Sequence, residues 1–530
     1  MSDPVLREKE PLFELAELCV TRPAAARPEL DRFSLTLGAG QSVVILGEAG
    51  SGKDALVRVL GGFTDRLEAI SGTIRFNGGE ARPAARRARA PIRIAYLPGP
   101  MAQPFAPHAG VLSQLVRVVA RKLSSPLASA REELRLALER LPGAPPLEAL
   151  EKRPGALDPV TAAWGLLAAA TAQTPDLILA DHPYADLGPG AVRALLETLA
   201  GEQKRLGFAL VYATGGLQPV ARLGGRIVVI RDGRVVEEGD AARLMSGHAH
   251  AYTRTLFKAL PQLSLDRPKS RGVAHGQPLL QVHGLDLQAQ GHQGLTFALR
   301  RGASLALVGE EGSGRRALAR ALLGLDRPAQ GRVVFDSVDL GVLSQTMTAR
   351  LRRRIAFITG ADEALDGRMT LWDTVDEPLR AHLDLSQELV AGYRESALKR
   401  VGLASHDGKR TVASLGSFDK RRLQVARAIV GAPLLVMVDE PLRGLDAFAQ
   451  TILREVLSDF RADYGPAFLI VTSDFTVAQA LADEAFVFRD GKVVERGPIV
   501  DLLRASKDAA TRALIEAVTL PSLSPAPDSI

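Results

Sequence analysis

Cysteine is almost absent. Cys19 is the single one in 530 residues, so no intramolecular disulfide and no cluster of cysteine ligands can form. Long apolar runs are missing too. The longest, near Leu166–Ala172, falls far short of the roughly 20 residues of a membrane-spanning helix. The opening MSDPVLREKE is charged and lacks the apolar core of a signal peptide, so a cytosolic protein is expected. Aromatic residues make up only 5% of the chain, and it has no aromatic-rich basic strand. No nucleic-acid partner is therefore expected, although the net charge of +6 and pI near 9.5 are basic. That balance also fits arginine-rich solvated helices or an anionic membrane face.

What is present is ordinary globular material, 46% hydrophobic and 24% charged. At 530 residues the chain is too long for one hydrophobic core. The most informative stretch is Gly47-Glu48-Ala49-Gly50-Ser51-Gly52-Lys53-Asp54. It follows the apolar run Val43–Leu46 and precedes a helical pattern, Ala55–Leu60. Strand, glycine-rich turn and helix at this spacing form a phosphate-binding loop. Backbone N–H groups wrap the phosphate, the helix points its positive end at the anion, and Lys53 adds a full charge. The last position is normally Ser or Thr, whose hydroxyl holds Mg²⁺. Here it is Asp54, a hard ligand for Mg²⁺ whose charge also opposes phosphate.

The chain repeats itself. A second loop, Gly309-Glu310-Glu311-Gly312-Ser313-Gly314-Arg315-Arg316, begins 262 residues after the first (47 to 309). The strand Leu177–Asp181 returns as Leu435–Asp439, 258 residues on (181 to 439). The segment Ile230–Glu237 returns as Phe488–Glu495 at the same offset of 258 (233 to 491). Two tandem copies follow, over residues 1–263 and 279–520, joined by a polar linker at 264–278 and ending in a proline-rich flexible tail at 521–530. Each copy alternates short β-rich runs with longer helical ones, which predicts an α/β class with a mostly parallel sheet core. Asp232-Gly233 and Asp490-Gly491, each between β-branched runs, predict hairpins.

The order of landmarks resembles the ATP-binding subunits of ABC transporters. Asp439-Glu440-Pro441-Leu442-Arg443-Gly444-Leu445-Asp446 matches that family's Walker B strand and D-loop. His250-Ala251-Tyr252-Thr253-Arg254-Thr255-Leu256 and Trp372–Arg380 look like segments of its oligopeptide, dipeptide and nickel importers. The resemblance covers nearly the whole chain. It implies two P-loop domains, each with an antiparallel β part and a helical subdomain, facing head to tail as an internal pseudo-dimer. It also implies ATP and Mg²⁺ as cofactors and integral-membrane permease subunits as partners. The chain would then lie at the cytoplasmic face of the cell membrane.

The resemblance assigns nucleotide contacts to Gly47, Glu48, Ala49, Gly50, Ser51, Gly52, Lys53, Asp54 and Asp181 in copy one. In copy two it assigns Gly309, Gly312, Gly314, Arg315 and Asp439. Mg²⁺ would sit on Asp54 and Asp181, and Glu440 would be the catalytic base. Departures are many. The base position of copy one is His182, and the switch-histidine positions are Gly215 and Ser473. The adenine-stacking positions are Arg22 and Ala289, and the glutamine positions fall at Pro98 or Gly99 and at Thr359. The signature reads Asp158-Pro159-Val160 in copy one and Gly416-Ser417-Phe418 in copy two. Proline has no N–H to give a phosphate. Arg316 stands where a hydroxyl should hold Mg²⁺; a cation about 4 Å from that ion costs roughly 4 kcal/mol per unit charge at an effective dielectric near 20. Site one therefore pairs the better loop with no base, and site two a base with a damaged loop. Weak or no hydrolysis is expected. The alternative is a non-transport pseudo-ATPase acting as scaffold or regulator.

Overall fold

The structure is a computed structural model. It describes the chain apart from residues 1–9, 24–26, 64–67, 81–91, 100–103, 246–248, 260–262, 264–276, 288–291, 327, 343–350, 352, 362–363, 383–384, 404–407 and 521–530. The expected tail, most of the expected linker and Ala289 thus lie outside the described residues.

Runs such as Val43–Leu46 and Leu177–Ala180 are buried on both faces, the mark of central parallel strands. In copy one the core sheet runs Ile94–Leu97, Leu177–Asp181, Ala209–Thr214, Ser42–Leu46, Arg226–Arg231, Arg234–Gly239. All neighbours are parallel except the last pair. Copy two repeats the order with Ile355–Thr359, Leu435–Asp439, Ala467–Thr472, Ser304–Gly309, Glu484–Arg489 and Lys492–Pro498. A separate four-stranded antiparallel sheet covers one face of each core sheet. Its strand Leu30–Leu37 alternates buried and open positions after its first residues. Helices Val111–Leu123, Leu127–Arg140 and Pro159–Ala172 pack on the other face in copy one. Helices Leu371–His382, Gln387–Arg400 and Ser417–Val430 do so in copy two. The chain is thus α/β with two P-loop domains of the same topology.

The hairpins form where the sequence puts them. Asp232 and Gly233 adopt φ of 49° and 77°, and Asp490 and Gly491 repeat this at 47° and 77°, as a two-residue turn of the primed type requires. Each hairpin props the phosphate loop of its own half. The Gly233 N–H donates to Ser51 O at 2.9 Å, and the Gly491 N–H to Ser313 O at 3.0 Å. A Cβ on Gly233 would stand 2.7 Å from Glu29 O.

The halves meet along their D-loops. The Gly444 N–H donates to Ala185 O at 3.2 Å, and the Ala447 N–H to Gly215 O at 3.1 Å. Each half also reaches the chain end of the other. Gln218 donates to Ala517 O at 2.6 Å, and Arg454 to Ala259 O at 3.5 Å.

Gly233→Ala adds both a positive-φ strain and a clash with Glu29 O. It should destabilise the first half by about 1–3 kcal/mol, seen as a lowered thermal midpoint by circular dichroism. The same change at exposed Gly201, inside a helix and with open space around its Cβ, should stabilise slightly.

Candidate functional site

Between the halves lies a cleft of about 760 Å³. Lys53, Asp54, Asp181 and His182 line it from copy one and Arg316, Asp439, Glu440 and Asp446 from copy two. Ser417, at the start of its helix, lines the same cleft, as does Pro159. The strands carry these groups there. Asp181 and Asp439 end the second strand of each core sheet, and His182 and Glu440 follow them with φ of 48° and 47°. A non-glycine residue in that region is strained, and such strain gathers at functional sites.

In loop one, Lys53 is buried and its Nζ donates to Glu48 O at 2.9 Å. Asp54 lies 3.5 Å from that ammonium, with its carboxylate more than half exposed. Gly47 N–H donates to Thr214 O at 3.1 Å, and Ser51 N–H closes the loop onto Glu48 O at 3.1 Å. Asp181 accepts from the Tyr96 hydroxyl at 3.3 Å. Burial, then the nearby Asp54 charge, push Asp181 up to about 6. Burial and the Asp181 charge push Tyr96 up to about 12. Burial, aided by the Lys53 charge, pulls His182 down to about 4. His182 is therefore neutral at pH 7 and weakly basic. These groups leave Asp54 and Asp181 facing one cleft with Lys53, a donor set that suits a magnesium-bound phosphate.

Loop two is occupied by its own ions. Gly309, Gly312 and Gly314 shape it as in copy one. The Arg315 guanidinium donates to Gly309 O, to Glu310 O at 2.5 Å and to Glu440 Oε1 at 2.7 Å. Arg443 also donates to Glu440 Oε1 at 2.7 Å and reaches Glu311 at 2.9 Å. Thr472 and Ser473 complete the shell of Glu440 at 3.1 and 2.9 Å. Arg316 stands 3.2 Å from both Asp439 and Glu311. Burial raises the Asp439 carboxyl in spite of Arg316. Burial would raise Glu311 as well, but Arg443 and Arg316 hold it below the ordinary range.

The remaining positions make structural contacts. Arg22 pairs with Glu29 at 3.0 Å on the antiparallel sheet. Asp158 caps its own helix by accepting from the Thr161 N–H at 2.9 Å. Thr359 sits beside Asp439 in the strand ladder, its N–H donated to Gln424. Asp446 joins the halves: it caps its own helix through the Ala449 N–H and accepts from the Ala49 N–H of loop one, both at 2.9 Å. Its counterpart 258 residues earlier (446 to 188) is Gly188, where a Cβ would stand 2.9 Å from Ser473 Oγ. Sequence reasoning gave no role to Tyr96 or Arg443. Arg443 replaces Ala185 of copy one, and this unmatched cation beside an unmatched Glu440 was the available signal.

The ABC transporter family profile matches residues 30–185 and 292–443, and the chain belongs to that family. It is 28% identical over 513 residues to the uncharacterized ABC transporter ATP-binding protein YejF of Escherichia coli (strain K12), covering 92% of this chain and 96% of that one. It is 27% identical over 535 residues to the glutathione import ATP-binding protein GsiA of Escherichia coli O6:H1, covering 92% and 85%. It is 28% identical over 530 residues to the peptidoglycan transport ATP-binding protein YejF of Agrobacterium fabrum, covering 96% of each.

Asp181 gives a pH test. Its folded pKa of about 6 exceeds its ordinary 3.8, so between those values the folded chain holds a proton that the unfolded chain has released. Its contribution to stability therefore falls as pH rises through that window and stays lost above it. Asp181→Asn should gain on wild type from pH 4.5 to pH 7.5, by at most about 3 kcal/mol. Thermal midpoints of both proteins at the two pH values check this.

Proposed function

We propose that the chain is the fused nucleotide-binding subunit of an importer for peptides or similar small solutes. It binds Mg–ATP at loop one, through the backbone of Gly47–Gly52, Lys53, Asp54 and Asp181, and hydrolyses it slowly or not at all. The observation that carries this reading is the Glu440 carboxylate, held by Arg315 and Arg443 at 2.7 Å each. A base so engaged cannot polarise a water, and general-base catalysis alone is worth about 10² to 10⁴ in rate. At loop one the corresponding group is neutral His182. Relatives named for import of glutathione and transport of peptidoglycan support the solute class. No helix among the described residues is long and apolar enough to cross a membrane, so the membrane path belongs to permease partners. The chain sits on them from the cytoplasmic side.

A second reading, a pseudo-ATPase scaffold outside transport, draws on the same substitutions in both halves. Affinity purification from detergent-solubilised membranes separates the two: permease subunits should be recovered with the chain, and a soluble partner in their place would favour the scaffold. Fluorescent-nucleotide titration tests the site. Wild type should bind with Mg²⁺, and Lys53→Ala should lose roughly tenfold or more in affinity. Steady-state turnover should lie well below about 1 s⁻¹. Turnover in the ordinary enzymatic range that is abolished by Lys53→Ala would defeat the proposal.

A further inference from the structure

We propose that Tyr96 is a positioning residue of the metal site on loop one, its hydroxyl fixing the Asp181 carboxylate for the magnesium of a bound nucleotide. The proposal rests on the reading that loop one binds Mg-nucleotide. A carboxylate that ligates a metal is itself oriented by hydrogen bonds from its neighbours, and losing such a bond costs metal affinity. Loop one has no hydroxyl of its own at the Mg²⁺ position, where Asp54 stands instead. Tyr96 brings a hydroxyl to the same cleft from a neighbouring strand. It lies opposite Leu179 in the parallel ladder, and Asp181 is two residues farther along. Both side chains therefore stand on one face of the sheet. The Tyr96 O–H donates to Asp181 Oδ2 at 3.3 Å. The ring is braced by Phe63, with centroids 4.9 Å apart, so the hydroxyl has a fixed seat.

The two halves differ at this position. The counterpart of Tyr96 is Phe357, opposite Met437 in its own ladder, and Leu179 and Met437 are 258 residues apart (179 to 437). The ring is kept and the hydroxyl is gone. Asp439 is held instead by the Arg316 guanidinium at 3.2 Å. The hydroxyl thus occurs in the half whose loop keeps its lysine, and is missing where the loop is filled by arginines. A cation against Asp439 neutralises the charge that a metal would seek. A neutral hydroxyl against Asp181 orients the carboxylate and leaves its charge in place. Arg58, which lines the same cleft, is paired with Glu29 at 2.5 Å and Glu68 at 3.0 Å.

Titration with a fluorescent ADP analogue, in Mg²⁺ and in EDTA, tests this. Asp54 and Asp181 put two carboxylates beside the phosphates, so wild type should bind more weakly in EDTA. Tyr96→Phe keeps the ring, as copy two does. It should lose roughly tenfold in affinity with Mg²⁺ and nothing in EDTA. In an Asp181→Asn background the same change should cost nothing further, because Tyr96 acts through that carboxylate. Melting curves confirm that each variant folds. Equal affinities for wild type and Tyr96→Phe in Mg²⁺, an equal loss in EDTA, or an undiminished loss in the Asp181→Asn background would overturn the role of Tyr96. Each would leave loop one intact as a binding site. Failure of wild type to bind the nucleotide with Mg²⁺ would overturn both.

Discussion

The ion cluster around Glu440 ties the second phosphate loop to the strand end that carries the acid. It joins loop two through Arg315 and the end of the Ala467–Thr472 strand through Thr472 and Ser473 to the stretch that carries Glu440 and Arg443. Glu440 and Arg315 are almost wholly buried. Removing one partner of such a pair costs about 3–5 kcal/mol, because the other is left buried and uncompensated. The loop, the strand end and the D-loop therefore hold one another in register. Arg316 does the same for Asp439 at the mouth of the cleft. On the proposed reading, side-chain cations occupy the room that a metal and a phosphate would need.

Loop one is built on the opposite plan. Its lysine leans on its own backbone, its acid at the Mg²⁺ position is open to solvent, and burial pushes the Asp181 carboxyl up to about 6. The partner half touches it lightly, through Asp446 on the Ala49 N–H. Where the equivalent contact would fall on loop two, the D-loop has Gly188, and a Cβ there would stand 2.9 Å from Ser473 Oγ. The substitutions thus come in matched sets. Glu311 of loop two pairs with Arg443, and Gly188 stands where the other half has Asp446. A neutral Ala49 goes with the retained Asp446.

Much of the fold was legible in the chain. Apolar runs such as Val43–Leu46 became central parallel strands, and Asp-Gly pairs became tight hairpins, because local periodicity and turn chemistry decide both. The repeat foretold two copies of one topology, though not the order of strands within each sheet. The head-to-tail pairing was legible only through family resemblance. The partners of Glu440 were harder. Arg443 lies three residues away and Arg315 125 away, and nothing local says that both turn onto one carboxylate. Tyr96 was invisible for the same reason, since its bond to Asp181 spans two neighbouring strands. Asp158 fell at the signature position of copy one, whereas its carboxylate is spent on its own helix cap.

Counting bound nucleotides tests the central claim most directly. Native mass spectrometry or calorimetry with Mg–ATP should find one nucleotide per wild-type chain, held at loop one. Exchanging Arg315→Lys and Arg316→Thr together should free loop two and raise the count toward two. Two nucleotides on wild type, or one that survives Lys53→Ala undiminished, would contradict the account.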